Sequence, residues 1–158
     1  MKMWMLAAVA AGALIATTVH ARENRPVTCD MWDAKHSVSP GGPALLANVS
    51  TAMTPIDLNA VQMTDKKLAG KVLVEAVFAR RTETNSVEVI TRFVNCSNKT
   101  VELDARSSFM DDAQVPTEDP TYWKKVILSP KATGVYRALS IGRDEVKYYL
   151  VEARSSQP

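Results

Sequence analysis

The chain has 158 residues, a length typical of one globular domain with its own hydrophobic core. Its 19 lysines and arginines against 17 aspartates and glutamates give a formal net charge of +2. Nucleic-acid binding usually needs a concentrated basic patch, whereas this sequence has only short basic pairs such as Arg80-Arg81. Composition and charge therefore argue against a nucleic-acid partner.

Residues 1–21 have the features of a signal peptide. Lys2 precedes an uncharged, mostly apolar run from Met3 to Val19, and Val19 and Ala21 stand at the positions where a leader peptidase expects small residues. The alternative is an uncleaved anchor helix, for which this run is marginally long. No later run approaches the length of a membrane span. We therefore predict an exported protein that is periplasmic or associated with the cell envelope. Any association with the outer membrane is expected to be through partner proteins.

Residues 22–55 are predicted to form an extended or flexible N-terminal arm. Prolines and glycines interrupt any periodic pattern over residues 37–43, and Pro55 closes the segment. The apolar run over residues 44–47 is more than an inert spacer needs. The sequence leaves open whether the arm is a plain linker or a segment that orders on a partner.

Residues 56–155 are predicted to form the folded domain, because the pattern changes to a period of two. The runs 72–79, 86–95 and 100–111 have the alternation or β-branched content of half-buried antiparallel strands. In the second run Val87, Val89, Thr91 and Phe93 share one face. Shorter strands are predicted over 125–128, 132–138 and 145–153, and residues 58–69 fit either a first strand or one turn of helix. The fold class is all-β, an immunoglobulin-like antiparallel sandwich.

Two cysteines remain after the leader, Cys29 and Cys96. In an oxidising compartment an even pair is naturally read as a disulfide, which here would close a loop of about 67 residues. The alternatives are two buried free thiols or a thiol bonded to a partner. Cys29 also stands ten residues beyond the apolar run, which is the wrong position for a lipid-anchor cysteine.

The stretch from about Val87 to Arg154 resembles the YcfL-like (DUF1425-type) family of bacterial envelope proteins. The matching features are Val94-Asn95 followed by a polar turn at 97–100, the strand end Phe109-Met-Asp111, Trp123 before the strand ending at Pro130, and Val135-Tyr136. The resemblance implies an immunoglobulin-like sandwich outside the cytoplasm and carries over no functional residue. Two departures from the family pattern are the missing lipid-anchor motif and Cys96 in the polar turn.

No catalytic constellation is recognisable in the sequence. After the leader the chain has one histidine, His36 in the arm, whereas a catalytic triad or histidine zinc site needs histidines on rigid elements. The acidic pairs Asp111-Asp112 and Glu118-Asp119 are interpreted as turn residues. The alternatives are that they bind calcium or line a hydrolase cleft. We predict no enzyme activity, no metal and no cofactor.

The aromatic residues are the remaining candidates for a contact surface: Tyr122, Trp123, Tyr148 and Tyr149. Consecutive strand residues point to opposite faces, so at least one of Tyr148 and Tyr149 is expected to face outward. The core is the stronger interpretation for such residues, because a small sandwich needs a few large side chains inside it, and Trp123 at the start of a strand is expected to be one of them.

These observations lead to a functional hypothesis without an active site. The chain is predicted to be an accessory or interaction subunit of a cell-envelope assembly such as a secretion or conjugation complex. It would contact its partners through the arm, a sandwich edge strand and the tyrosine surface. The alternative is a periplasmic module that binds a small ligand, a glycan or a peptidoglycan fragment.

Overall fold

A computed structural model describes residues 29–31 and 41–157. The predicted signal peptide, residues 22–28 and 32–40 of the predicted arm, and with them His36, lie outside the described residues. Within the described part no helix has the length and apolar character needed to cross a membrane.

The described chain forms nine strands and one short 3₁₀ turn, η1 (Leu58–Ala60). The strands are β1 (Ala44–Leu45), β2 (Thr54–Ile56), β3 (Val61–Met63), β4 (Val72–Arg81), β5 (Val87–Asn95), β6 (Val101–Met110), β7 (Lys124–Leu128), β8 (Thr133–Leu139) and β9 (Tyr148–Ser155).

The strands form two sheets that pack face to face. One sheet has the order β2-β4-β5-β8, and the other has the order β1-β9-β6-β7. Strand β3 pairs with the same edge of β9 as β1 does, further along β9 towards its C-terminal end. Large side chains from both sheets fill the space between them, among them Phe93, Phe109, Tyr136 and Tyr149, which are at most 1% exposed. The predicted all-β sandwich is confirmed.

The pairing of β3 with β9 is parallel, whereas every other strand pair is antiparallel. The reason is the short connection between β2 and β3, which consists of Asp57 and η1. This connection moves the chain from one sheet to the other without reversing its direction, and Asp57 caps the turn by accepting a hydrogen bond from the Asn59 backbone N–H. Residues 58–69 thus contain both the helical turn and the strand that the sequence offered as alternatives.

The period-two pattern correctly assigned the faces of the central strands. In β5 the predicted inward residues Val87, Val89, Thr91 and Phe93 are all buried. Glu88, which lies between two of these residues, points to the outer face, yet it is only 7% exposed, because Arg80 and Arg137 both pair with its carboxylate. The last strand begins three residues later than predicted, since residues 145–147 belong to the preceding loop.

The boundary predicted between arm and sandwich at residue 55 is wrong. Strands β1 and β2 lie within the range assigned to the arm, and each pairs with a long strand of its sheet. Leu46 and Val49 are 0% and 6% exposed and belong to the core. The prolines and glycines of this region mark breaks between short edge strands, where proline is tolerated because one side of the strand needs no donor.

Cys29 and Cys96 form a disulfide with a Cα–Cα distance of 5.5 Å. Cys96 lies in the turn between β5 and β6, so the bond attaches residues 29–31 to this end of the sandwich. The disulfide predicted from the even cysteine count is present.

Asn95 holds the same turn from inside the protein. Its buried amide nitrogen donates to the carbonyl oxygens of Lys99, Leu128 and Ser129 at 2.7, 3.0 and 3.0 Å. Its amide oxygen accepts from the backbone N–H and the hydroxyl of Ser97. One side chain thereby joins the β5–β6 turn to the β7–β8 turn. The Asn and polar turn of the family resemblance are explained by this structural role.

Candidate interaction surface

The strand directions sort the connections into two groups at opposite ends of the sandwich. We call one group the loop end, formed by residues 46–53, 82–86, 111–118 and 140–147. The other group is the disulfide end, formed by residues 64–71, 96–100 and 129–132 together with Cys29.

Arg81 organises the loop end. Its guanidinium donates to the carbonyl oxygens of Asn85, Arg143 and Val146 at 3.2, 3.2 and 2.8 Å. Its backbone N–H donates to the Ser50 carbonyl oxygen. Arg81 therefore joins three of the four loops, and it can do so because it is the last residue of β4, where the strand leaves the sheet.

Glu118 attaches the remaining loop. Its carboxylate accepts from the backbone N–H groups of Ile141 and Gly142 at 2.8 and 2.6 Å. Glycine suits position 142, because a Cβ there would lie 2.9 Å from the Glu145 carboxylate and 3.0 Å from Val146. Within the same loop, N–H groups of Glu145 and then Arg143 hold the pKa of the exposed Glu145 carboxyl below its ordinary value.

Turn chemistry also explains the predicted acidic pairs. The Asp111 carboxylate accepts from the backbone N–H groups of Ala113 and Val115, both at 2.9 Å. Among the described residues no group of three or more metal-ligating side chains lies together. The calcium alternative therefore gains no support from the described part of the chain.

The loops so held together expose apolar side chains. Met53, Val115 and Ile141 are 42%, 54% and 85% exposed, one on each of three loops, and Leu139 at the adjoining end of β8 is 53% exposed. The disulfide end exposes no large apolar side chain within its three described loops. Single exposed apolar side chains are common on protein surfaces, but a group of them at one end of the fold makes that end the candidate contact site. Sequence reasoning missed them, although an isoleucine in a turn (Ser-Ile-Gly-Arg) is an available signal.

An open cleft of about 430 Å³ lies beside these loops, at the β4–β5 turn. It is lined by Thr51, Arg80, Arg81, Thr82, Glu83 and Thr84. None of the aromatic residues proposed from sequence lines this cleft. Its hydroxyl and charged groups offer hydrogen bonds to a polar ligand rather than a stacking platform.

The four aromatic candidates do not form one site. Tyr149 is 0% exposed and lies in the core, so it is not a contact residue. Tyr148 is partly exposed on the outer face of its sheet, opposite Leu45 of β1. Tyr122 is 96% exposed on the segment that runs back along β6 after the loop end. The prediction that one of Tyr148 and Tyr149 faces outward holds for Tyr148.

Trp123 lies neither in the core nor open to solvent. It occupies the outer face of the β6–β9 sheet, where the guanidinium carbons of Arg106 and Arg154 are 4.5 and 4.0 Å from its ring centroid. Arg106 is also paired with Glu152 at 2.6 Å. The ring is therefore already engaged by two cation–π contacts, which attach the segment before β7 to the sheet.

No family model and no curated protein matches the chain. Solved structures similar to it include the following two. The crystal structure of Campylobacter jejuni cj0090 has 12% sequence identity, covers 61% of this chain and 98% of its own, and has a TM-score of 0.47. The crystal structure of a DUF1425 family member from Shewanella sp. pv-4 has 20% identity, covers 75% of this chain and 99% of its own, and has a TM-score of 0.49.

The Shewanella protein is of the DUF1425 type that the sequence resembles. The narrower YcfL-like resemblance stays a prediction.

Proposed function

We propose that this protein is a non-enzymatic accessory subunit of a bacterial cell-envelope assembly, such as a secretion or conjugation complex. It acts through protein–protein contacts, and the loop end is its contact surface. The proposal is carried by one observation, the exposure of Met53, Val115 and Ile141 on loops that Arg81 and Glu118 hold in place.

Two physical terms favour binding at such a surface. Burying apolar surface against a partner contributes about 25 cal/mol per Å². Loops that hydrogen bonds already hold lose less conformational entropy on binding than free loops do. The disulfide supports an oxidising compartment, which suits an envelope location.

The test compares two exposed isoleucines, of which only one is expected to affect partner binding when it is replaced. Ile141 is 85% exposed at the loop end, and Ile127 is 61% exposed on β7. We would tag the full-length protein in its own cells, extract it gently, and measure its native size and co-purifying proteins. Ile141→Asp should reduce recovery of the partner at least about tenfold, which corresponds to roughly 1.4 kcal/mol of contact energy. Ile127→Asp should leave it unchanged.

Two outcomes would contradict the proposal. One is migration of the unmodified protein as a lone chain. The other is equal partner recovery with both aspartate variants. Since both positions are exposed, thermal unfolding of each variant serves as the folding control.

The second candidate function is binding of a small polar ligand such as a glycan or peptidoglycan fragment. The cleft at the β4–β5 turn favours it, because three threonine side chains, Glu83 and two arginines line it. Thr82→Val together with Thr84→Val should then weaken binding of a peptidoglycan fragment in calorimetry. Absence of any heat with the unmodified protein would exclude this candidate.

A further inference from the structure

The two ends of the sandwich carry opposite charge. The described loops of the disulfide end have five lysines, Lys66, Lys67, Lys71, Lys99 and Lys131, against Asp65 and, next to Cys29, Asp30. The loop end has six carboxylates, Glu83, Asp111, Asp112, Glu118, Asp144 and Glu145, against three basic side chains, Arg143, Lys147 and the guanidinium of Arg81 that lies among these loops. The near-neutral net charge of the chain conceals this separation.

The charge of the five lysines is not neutralised by a carboxylate partner among the described residues. All five are exposed, and none of them takes part in an ion pair between described residues. Asp65 is engaged within its own turn, where the Ser155 side chain and the Lys67 backbone N–H hold the pKa of its carboxyl below the ordinary value. Asp65 thus stays ionised and lowers the positive charge of this end by one.

The fold holds these lysines on one surface. The Cys96 backbone N–H donates to the Lys71 carbonyl oxygen at 2.7 Å, and the Lys131 ammonium donates to the Cys96 carbonyl oxygen at 2.6 Å. Asn95 joins the turn that contains Lys99 to the β7–β8 turn. Three loops from different parts of the sequence are thus fixed together around the disulfide.

We propose that the disulfide end binds the anionic surface of a phospholipid membrane, with the loop end pointing away from it. Binding to a charged lipid surface needs basic groups and no apolar core, and each lysine near such a surface contributes a roughly fivefold gain. A protein contact needs an apolar centre, and the described loops of this end expose no large apolar side chain. The basic residues are all lysines, which act as point charges on a diffuse surface, rather than arginines suited to bidentate phosphate recognition.

Chain connectivity supports the same orientation. Cys29 is bonded to this end, and ten residues separate it from the end of the apolar run at Val19. Ten residues span at most about 35 Å. With the predicted leader still in the bilayer, this short connection would keep the disulfide end nearer to the membrane than the loop end.

The experiment measures co-sedimentation with vesicles. The protein purified from its own envelope fraction is mixed with vesicles of equal parts phosphatidylglycerol and phosphatidylcholine, or of phosphatidylcholine alone. The test variant combines Lys66→Glu, Lys67→Glu and Lys99→Glu. The control variant combines Lys124→Glu, Arg143→Glu and Lys147→Glu, which changes the net charge equally but away from the disulfide end.

We expect the unmodified protein to bind the phosphatidylglycerol vesicles and to be released when the salt is raised towards 1 M, where screening acts over about 3 Å. The test variant should lose at least about 100-fold in partition coefficient, and the control less than about fivefold. The salt and lipid dependence of the unmodified protein stays decisive if a variant does not fold.

Three results would overturn the inference. Equal binding to phosphatidylcholine alone would assign membrane binding to the apolar leader. Equal losses in the two variants would assign it to net charge. Loss of self-association in the test variant, without vesicle binding by the unmodified protein, would show that the lysines contact the acidic loop end of a second copy.

Discussion

The two ends of this sandwich are both made of short connections between strands, yet they are stabilised in different ways. At the disulfide end a covalent bond and the buried amide of Asn95 hold the turns from within. At the loop end the partly exposed side chains of Arg81 and Glu118 hold the loops by hydrogen bonds to backbone groups. Hydrogen bonds of this kind contribute about 0.5–1.5 kcal/mol each, or somewhat more when a charged group takes part.

The comparison teaches that local stability and surface character are divided between the ends. The end with the stronger internal constraints exposes lysines, and the end with the weaker ones exposes apolar side chains. Binding surfaces are commonly drawn from the less stable parts of a protein. We therefore expect faster amide hydrogen exchange in the loop end than in the disulfide end.

The largest expected effect is removal of the disulfide. Cys29→Ser with Cys96→Ser should lower the free energy of unfolding by about 4 kcal/mol, because the bond closes a 67-residue separation in the unfolded chain. Denaturant unfolding measures this loss. Reduction of the unmodified protein should give the same value, and a loss below about 1 kcal/mol would show that the disulfide end does not depend on its covalent bond.

The next effect concerns the buried amide at the same end. Asn95→Ala removes the side-chain amide that donates to three carbonyl oxygens and joins two turns. We therefore expect the free energy of unfolding to fall by about 3 kcal/mol. Asn98→Ala is the matched control, since Asn98 is exposed in the same turn and should cost less than about 0.5 kcal/mol. Equal losses would mean that the turn conformation, not the amide, matters.

A smaller effect is expected at the loop end. Arg81→Met keeps much of the side-chain volume but removes the donors to three loop carbonyls, and should cost about 1–2 kcal/mol. Hydrogen exchange should accelerate in residues 140–147 and stay unchanged near Cys96. Arg143→Met is the control, because the side chain of Arg143 is exposed. Uniform acceleration over the whole chain would contradict the division between the ends.

The smallest effect lies in the core between the two ends. Burial raises the pKa of Tyr149, and the Asp57 carboxylate raises it further to a lesser extent. Burial also raises the pKa of Tyr136, although its hydrogen bonds with Ser107 and Thr121 act to lower it. Because the folded pKa exceeds the unfolded value of about 10, the stability linked to each neutral ring is fully present below pH 10 and is lost as the pH rises further.

Phenylalanine substitutions separate the two rings. The Tyr149 hydroxyl has no hydrogen-bond partner among the described residues, so Tyr149→Phe should leave stability unchanged or raise it by about 1 kcal/mol. It should also reduce the loss of stability above pH 10. Tyr136→Phe should cost about 1 kcal/mol, because its hydroxyl lies 3.2 Å from both Ser107 and Thr121. Thermal unfolding between pH 8 and 11 distinguishes the two.

The long strands were predictable because side-chain alternation is a local property. In a strand, residues two positions apart lie on the same face, so the inward residues of β5 could be predicted from the sequence. The disulfide was also predictable, because an even cysteine pair in a chain predicted to be exported has few alternatives. The short strands β1 and β2 were missed, since two or three residues between prolines and glycines contain too few positions for any period to show.

The proposed contact surface was harder to predict, because it is assembled from loops far apart in the sequence. Arg81 and Glu118 gained their roles only when β4, β6, β8 and β9 brought their ends together. Trp123 was interpreted as a core residue or ligand platform, but two arginines on neighbouring strands occupy its ring. Tyr149 differs from Tyr148 in burial because the two point to opposite faces of one strand, and the register of β9 determines which of them is buried.

The sequence by itself determined the strand periodicity, the sandwich class and the cysteine pair, because each depends on residue types at short spacing or on a simple count. The tertiary structure decided the short edge strands, the hydrogen-bonded loop end and the separation of charge between the ends. These features depend on which distant residues become neighbours, and a near-neutral composition contains no information on how its charges are distributed in space.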